Sequence, residues 1–147
     1  AIFYITLSAE SNNKDSQFLL SEIYYKGEFV KKDIQKVIHY LKELSSFNSN
    51  LAKNNLGIIY KNGDGVEKNI FNAIEYFEEA IRQKNDMFSI FNLARIFYFG
   101  IDVKKDLKKA IQLLENAPDD DFYPINLFLF FIYNYGDLSV LNRPRET

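Results

Sequence analysis

The 147-residue chain has no cysteine and a single histidine, and it carries no long apolar run. Without cysteine there is no disulfide framework, no thiolate metal site and no thiol nucleophile. The lone His39 falls between the positions Lys36-Val37 and Tyr40-Leu41, on the solvated face of a helix, where it lacks the positioned partner that a general base needs. With no second histidine, a nitrogen and sulfur site for a transition metal fails as well, so catalytic and metal residues are expected to be none and cofactors none. The strongest apolar stretch, Ile125 to Tyr133, contains Asn126 and is far shorter than the roughly 20 residues that cross a bilayer, so no membrane insertion is expected. A marked excess of either charge is missing too. Eighteen Lys and Arg against 20 Asp and Glu leave a net −2, too near neutral to gather phosphates, and a nucleic-acid partner is disfavoured.

What is present is 47% hydrophobic residues, enough for a core, arranged in a repeat. Gly27, Gly63, Gly100 and Gly136 are separated by 36, 37 and 36 residues. Seven positions before each glycine stand Leu20, Leu56, Leu93 and Leu129; four before stand Ile23, Ile59, Ile96 and Ile132; three before stand Tyr24, Tyr60, Phe97 and Tyr133. Offsets of three and four place these columns on one helical stripe, which reads as core, the aromatic column included. Each glycine then marks a helix stop, suited to a left-handed residue that a side chain would penalise.

A second helix follows. Val30, Val66 and Val103 lead to Asp33, Asn69 and Asp106, side chains that cap helix starts. Inward positions recur as Val37, Ala73 and Ala110, then Tyr40, Tyr76 and Leu113, then Leu41, Phe77 and Leu114. The unit is a pair of antiparallel helices joined by a glycine-led turn. Residues 1–13 read as the second helix of a preceding unit, because Ala1, Tyr4 and Ile5 match its inward positions; units one to three span 14–49, 50–85 and 86–121, and 122–147 form a partial fourth. The whole reads as one repeat domain excerpted from a longer array. In the fourth unit Asn142 holds the cap position but Ser139 replaces the valine. Phe130 also departs, since its equivalents Ser21, Gly57 and Ala94 are small enough for close helix approach. A glycine inside a helix costs about 1 kcal/mol relative to alanine, so Gly57 reads as a contact point.

The segment Leu56-Gly57-Ile58-Ile59-Tyr60-Lys61-Asn62-Gly63-Asp64-Gly65-Val66, with Asn69, Ala73, Tyr76-Phe77 and Ala80 after it, resembles the Sel-one-like repeat, and residues 16 to 136 follow that pattern. Phe29 and Asp102 stand where the second turn glycine belongs in the first and third units. The resemblance implies an all-α fold, a right-handed α/α superhelical solenoid of antiparallel helix pairs, tetratricopeptide-like, with a period of 36 to 37 residues. It also implies an adaptor or scaffold role in protein–protein interaction, with first helices lining a concave face.

On such a face, positions nine, five and two before each glycine lie off the core stripe. They read Phe18, Glu22 and Tyr25; Asn54, Ile58 and Lys61; Phe91, Arg95 and Tyr98; Leu127, Phe131 and Asn134. Asn55 and Asn92 add amides that can fix a ligand backbone. An aromatic groove with scattered polar groups suits a protein or peptide ligand, either extended or as an amphipathic helix. The competing expectation is that Phe18, Phe91 and Phe131 only pack between helices. A structural spacer, or end-to-end self-association of the array, is the alternative role. A hydrolase reading is disfavoured by the lack of cysteine and of any triad. A single-stranded RNA reader lacks repeated basic groove residues. Asp119-Asp120-Asp121 lacks the spacing and turn glycine of a calcium loop, Gly63-Asp64-Gly65 lacks the lysine of a phosphate loop, and Lys104 to Lys109 reads as a soluble helix face.

Overall fold

The computed structural model describes residues 1–118 and 121–136, and these are all helices and turns. In chain order the helices are α1 (Ile2–Glu10), α2 (Lys14–Lys26), α3 (Ile34–Ser46), α4 (Asn50–Asn62), α5 (Ile70–Lys84), α6 (Met87–Phe99), α7 (Leu107–Glu115) and α8 (Tyr123–Tyr135). Two compact units share them, Ala1–Tyr76 and a second beginning at Phe77, the division falling inside α5. Asp119, Asp120, Ser139 and Asn142 lie outside the described residues.

The turns form as their residues dictate. Gly27, Gly63 and Gly100 end α2, α4 and α6 with φ of 67, 68 and 67°, the left-handed region that glycine enters without penalty. Six residues on, Asp33, Asn69 and Asp106 cap the next helix by accepting the amides of Lys36, Asn72 and Lys109 at 3.1, 3.0 and 2.9 Å. The same three residues donate their own amides back to the carbonyls of Tyr24, Tyr60 and Phe97 at 3.1, 2.9 and 2.9 Å, closing each turn on the helix before it. Gly136 departs from the set. Its φ is −78°, so it is not left-handed, but an added Cβ would lie 2.5 Å from the Ile132 carbonyl oxygen. Close approach, rather than dihedral angle, excludes a side chain there.

The second connection is built on asparagine. Asn12, Asn48 and Asn85 adopt φ of 63, 63 and 51°, and each precedes the residue that caps the next first helix. Those caps, Asn13, Ser49 and Asp86, accept the amides of Ser16, Ala52 and Ser89 at 2.9, 3.2 and 2.8 Å. Asparagine tolerates the left-handed well better than other residues with a Cβ, which fits it to this turn. Asp102, with φ 52°, takes the same conformation as Gly65 in the glycine-led turn.

In the first unit α3 packs against both α2 and α4, and α1 lies on α2. Val37, Ile38, Leu41 and Leu44 of α3 meet Ala52, Leu56 and Ile59 of α4 in a buried cluster. In the second unit α7 plays the part of α3 between α6 and α8, with Ala110, Ile111 and Leu114 buried against Ile90, Ala94, Ile125 and Ile132. The aromatic column is shallower than its spacing suggests. Tyr24, Tyr60 and Phe97 are half-buried, each covered from one side: Lys36 Nζ lies 4.5 Å from the Tyr24 ring, Tyr76 stacks on Tyr60 at 5.9 Å, and Lys109 Nζ sits 4.1 Å from the Phe97 ring. Three positions expected to face inward or to crowd a neighbour are open instead: Ala1 is exposed, Tyr4 is 73% exposed and Phe130 58%.

Candidate functional site

Residues of two successive first helices converge in the first unit. Glu22 and Tyr25 on α2 face Asn55 and Ile58 on α4 across an open pocket of about 250 Å³, floored by Val37 and Leu41 of α3. The spacing of Glu22 and Tyr25, three apart on one helix, puts both on the same rim. Lys32 Nζ lies 4.9 Å over the Tyr25 ring and pairs with Asp64 at 3.1 Å, so the tyrosine is propped from the turn side. The pocket therefore has an apolar floor and a lining that carries one carboxylate, the ammonium of Lys26, one amide, and the hydroxyls of Ser21 and Tyr25.

Its existence traces to one residue. Asn55 and Phe128 occupy the same repeat position, eight before their glycines. In the second unit Phe128 fills the corresponding space, meeting Tyr98 at 5.1 Å, Phe91 at 5.9 Å and Phe99 at 6.1 Å. Tyr98 is consequently 9% exposed, whereas Tyr25, at the same register beside the smaller Asn55, is 43% exposed. An aromatic plugs the second unit where an amide leaves the first one open.

The second unit presents a different surface. Phe91 and Arg95 of α6 come together with Leu127 and Phe131 of α8 along an open depression of about 660 Å³. Arg95 Cζ rests 5.6 Å from the Phe91 ring centre, a cation stacked on an aromatic face. Phe99, Tyr123, Phe130 and Tyr135 border the same depression and are all exposed; none was singled out as a binding residue by spacing alone. The signal that finds the last three is α8 itself, thirteen residues without a charged side chain.

The other expected site residues divide by environment. Phe18 is half-buried against the core of the first unit, and Phe91 is likewise half-buried against that of the second. Asn54 is 6% exposed and belongs to the interior. Lys61 and Asn92 are half-buried, and Asn134 is exposed, its amide donating to the Phe130 carbonyl at 2.8 Å. His39 is exposed and lies 3.5 Å from Glu43, one turn along α3. Among the described residues no three His, Cys, Asp or Glu side chains converge as metal ligands, and no helix is long and apolar enough to cross a membrane.

Comparison with known proteins agrees with this geometry. The Sel1 repeat family model matches residues 14–45, 50–85 and 88–117. A search of curated proteins finds no match. Among solved structures, a Sel1 repeat protein from Oxalobacter formigenes is similar with a TM-score of 0.79 and 26% identity, over 95% of this chain and 56% of that one. A second is c5321, a protective antigen present in uropathogenic Escherichia coli strains displaying an SLR fold, with a TM-score of 0.79 and 21% identity, over 99% of this chain and 30% of that one. The latter likeness concerns the fold alone. The chain spans less than two thirds of either structure's length.

Proposed function

Because the chain belongs to the Sel1 repeat family, all-α solenoids of helix pairs that generally serve as protein-interaction scaffolds, we propose that it binds a partner protein and that its first unit takes an apolar side chain of that partner between α2 and α4. Catalysis has no part in the proposal, the fold being a typically non-catalytic scaffold. The observation that carries the reading is the convergence of Glu22, Tyr25, Asn55 and Ile58 on one open pocket. At about 250 Å³ it is smaller than the roughly 300–1,000 Å³ of small-molecule sites and suits a single anchoring side chain. Such anchors supply most of the energy of an interface, while rim groups hold the ligand backbone. Glu22 accepts a backbone amide there, and Asn55 both donates and accepts.

The test is to plug the pocket. Asn55→Phe copies the Phe128 arrangement of the second unit, so it fills the cavity with a residue the repeat already accommodates. Affinity capture with wild-type chain, Asn55→Phe and the surface control Glu67→Gln, with helicity checked by circular dichroism, should recover a specific protein with wild type and control but not with the plugged chain. Equal recovery by all three, or no specific protein, would favour a spacer role for the array.

A further inference from the structure

The α2 side of the first unit's pocket carries two charges of opposite sign one turn apart, Glu22 and Lys26. No other first helix presents such a pair: the same two positions hold Ile58 and Asn62 in α4, Arg95 and Phe99 in α6, and Phe131 and Tyr135 in α8. A glutamate four residues before a lysine is the favourable order for an ion pair along a helix. Yet the two are not paired, and among the described residues neither makes a side-chain hydrogen bond or salt bridge. Asn55, across the pocket on α4, is equally uncommitted, and the α4 side carries no charge. Between them the floor of Val37, Leu41 and Ile59 belongs to the buried core of the unit. Both flanking first helices lie within this unit, so both walls of the pocket are present.

We infer that the pocket selects an extended segment of a partner protein in which one apolar residue stands between a basic and an acidic one. This deepens the α2–α4 reading and rests on it. The apolar side chain enters the floor, Lys or Arg meets Glu22, and Asp or Glu meets Lys26. Spacing chooses the extended form. Four residues of α2 rise about 6 Å and two residues of a strand about 6.6–6.8 Å, so side chains at i and i+2 match the two rim charges. The residue between them points away from α2, toward Ile58 and the floor. A helical occupant is about 10 Å across, too broad for a cavity of about 250 Å³. A carboxylate has two oxygens, so Glu22 holds a cationic side chain through one and a backbone amide through the other. Exposed charge pairs add little affinity, and their effect is on which partner is refused. A segment with two like charges meets a like charge on the rim whichever way it runs.

The experiment is a selection from a displayed library of random linear peptides against the whole chain, counter-selected with Asn55→Phe. The expected winners carry an apolar residue between a basic and an acidic one. Synthetic winners should lose about tenfold in affinity for the wild-type chain when both flanking residues are made basic or both acidic. On Glu22→Lys the preference should pass to the peptide with two acidic flanks, and on Lys26→Glu to the peptide with two basic flanks. Both positions are exposed, so these reversals leave the core intact. Winners that need Asn55 but are indifferent to both reversals would overturn the inference and leave the α2–α4 reading standing. No enrichment over Asn55→Phe would overturn both. Self-association by sedimentation that Asn55→Phe abolishes would give the pocket to a second copy of the chain, and would overturn the partner segment as its occupant.

Discussion

Gly65→Ala is the substitution whose cost is most directly set by the structure. Gly65 has φ 71°, and a Cβ built on it would lie 2.6 Å from Cγ1 and 2.8 Å from Cβ of Ile34, the buried first residue of α3. The left-handed conformation alone costs about 1 kcal/mol for a residue with a side chain. The overlap adds roughly 1–3 kcal/mol, because rotating Ile34 about χ1 moves its Cγ1 but leaves its Cβ in place. A loss of about 2–4 kcal/mol follows. Urea unfolding followed by circular dichroism measures it as a lower midpoint at unchanged slope. The clash portion is separable by a double-mutant cycle with Ile34→Ala, which alone removes buried methyl groups and costs about 2–5 kcal/mol. With both substitutions the total should fall short of the sum by about 1 kcal/mol, since the alanine no longer meets Cγ1. A Gly65→Ala loss under about 1 kcal/mol, or strict additivity in the cycle, would refute the reasoning that this glycine is held by both dihedral and contact.

Three further outcomes are expected. Asn48→Ala should destabilise the first unit by about 1 kcal/mol while Asn48→Gly leaves it unchanged or slightly better, because the φ of 63° penalises a Cβ without a local polar group; chemical unfolding of both variants checks the order. Lys109→Met keeps the aliphatic stem over Phe97 but removes the charge 4.1 Å from the ring centre, and should cost about 0.5–1 kcal/mol by the same assay. Stability should fall as pH rises past about 10, the ordinary tyrosine value. The Lys36 ammonium, hydrogen-bonded to the Tyr24 hydroxyl, is held above its ordinary 10.5, and burial raises Tyr40 above its ordinary 10.0. Both groups bind their proton more tightly when folded, so their contribution is complete below the unfolded values and is lost as pH climbs through the folded ones. Thermal melts between pH 8 and 11 would show this, and Tyr40→Phe should remove part of the slope.

Much of the fold was legible because helix stops and caps are local chemistry. Gly27, Gly63 and Gly100 needed only their spacing, and Asp33, Asn69 and Asp106 only their distance from those glycines, for the turns to be placed. The asparagine turns carried the same signal, with separations of 36 and 37 residues between Asn12, Asn48 and Asn85, and were missed because asparagine is common in this chain and polar residues between helices invite no special reading. The depth of the aromatic column was not legible for a different reason. What covers Tyr24 or Phe97 is a lysine twelve residues on, past a turn and on another helix, and helical periodicity does not reach that far. Gly136 shows the limit of the spacing itself: the glycine recurs on schedule, but its conformation does not.

The candidate site was legible by register and not by environment, and Tyr25 and Tyr98 show the difference. Both stand two positions before a turn glycine, so a repeat alignment assigns them one role. Which of them meets solvent is decided by the next first helix, Asn55 in one case and Phe128 in the other. Their alanine variants should therefore behave oppositely. Tyr98→Ala empties a buried site packed edge-on against Phe99 and Phe128 and should cost about 3–5 kcal/mol, the range for aromatic truncation in a core. Tyr25→Ala loses a half-exposed ring and its contact with Lys32, and should cost under about 1 kcal/mol while weakening capture of the partner. Unfolding curves and capture assays run on the two variants together decide the matter. Equal losses of stability would mean that register alone sets the role of this column, and that the open pocket beside Asn55 is not what distinguishes the first unit.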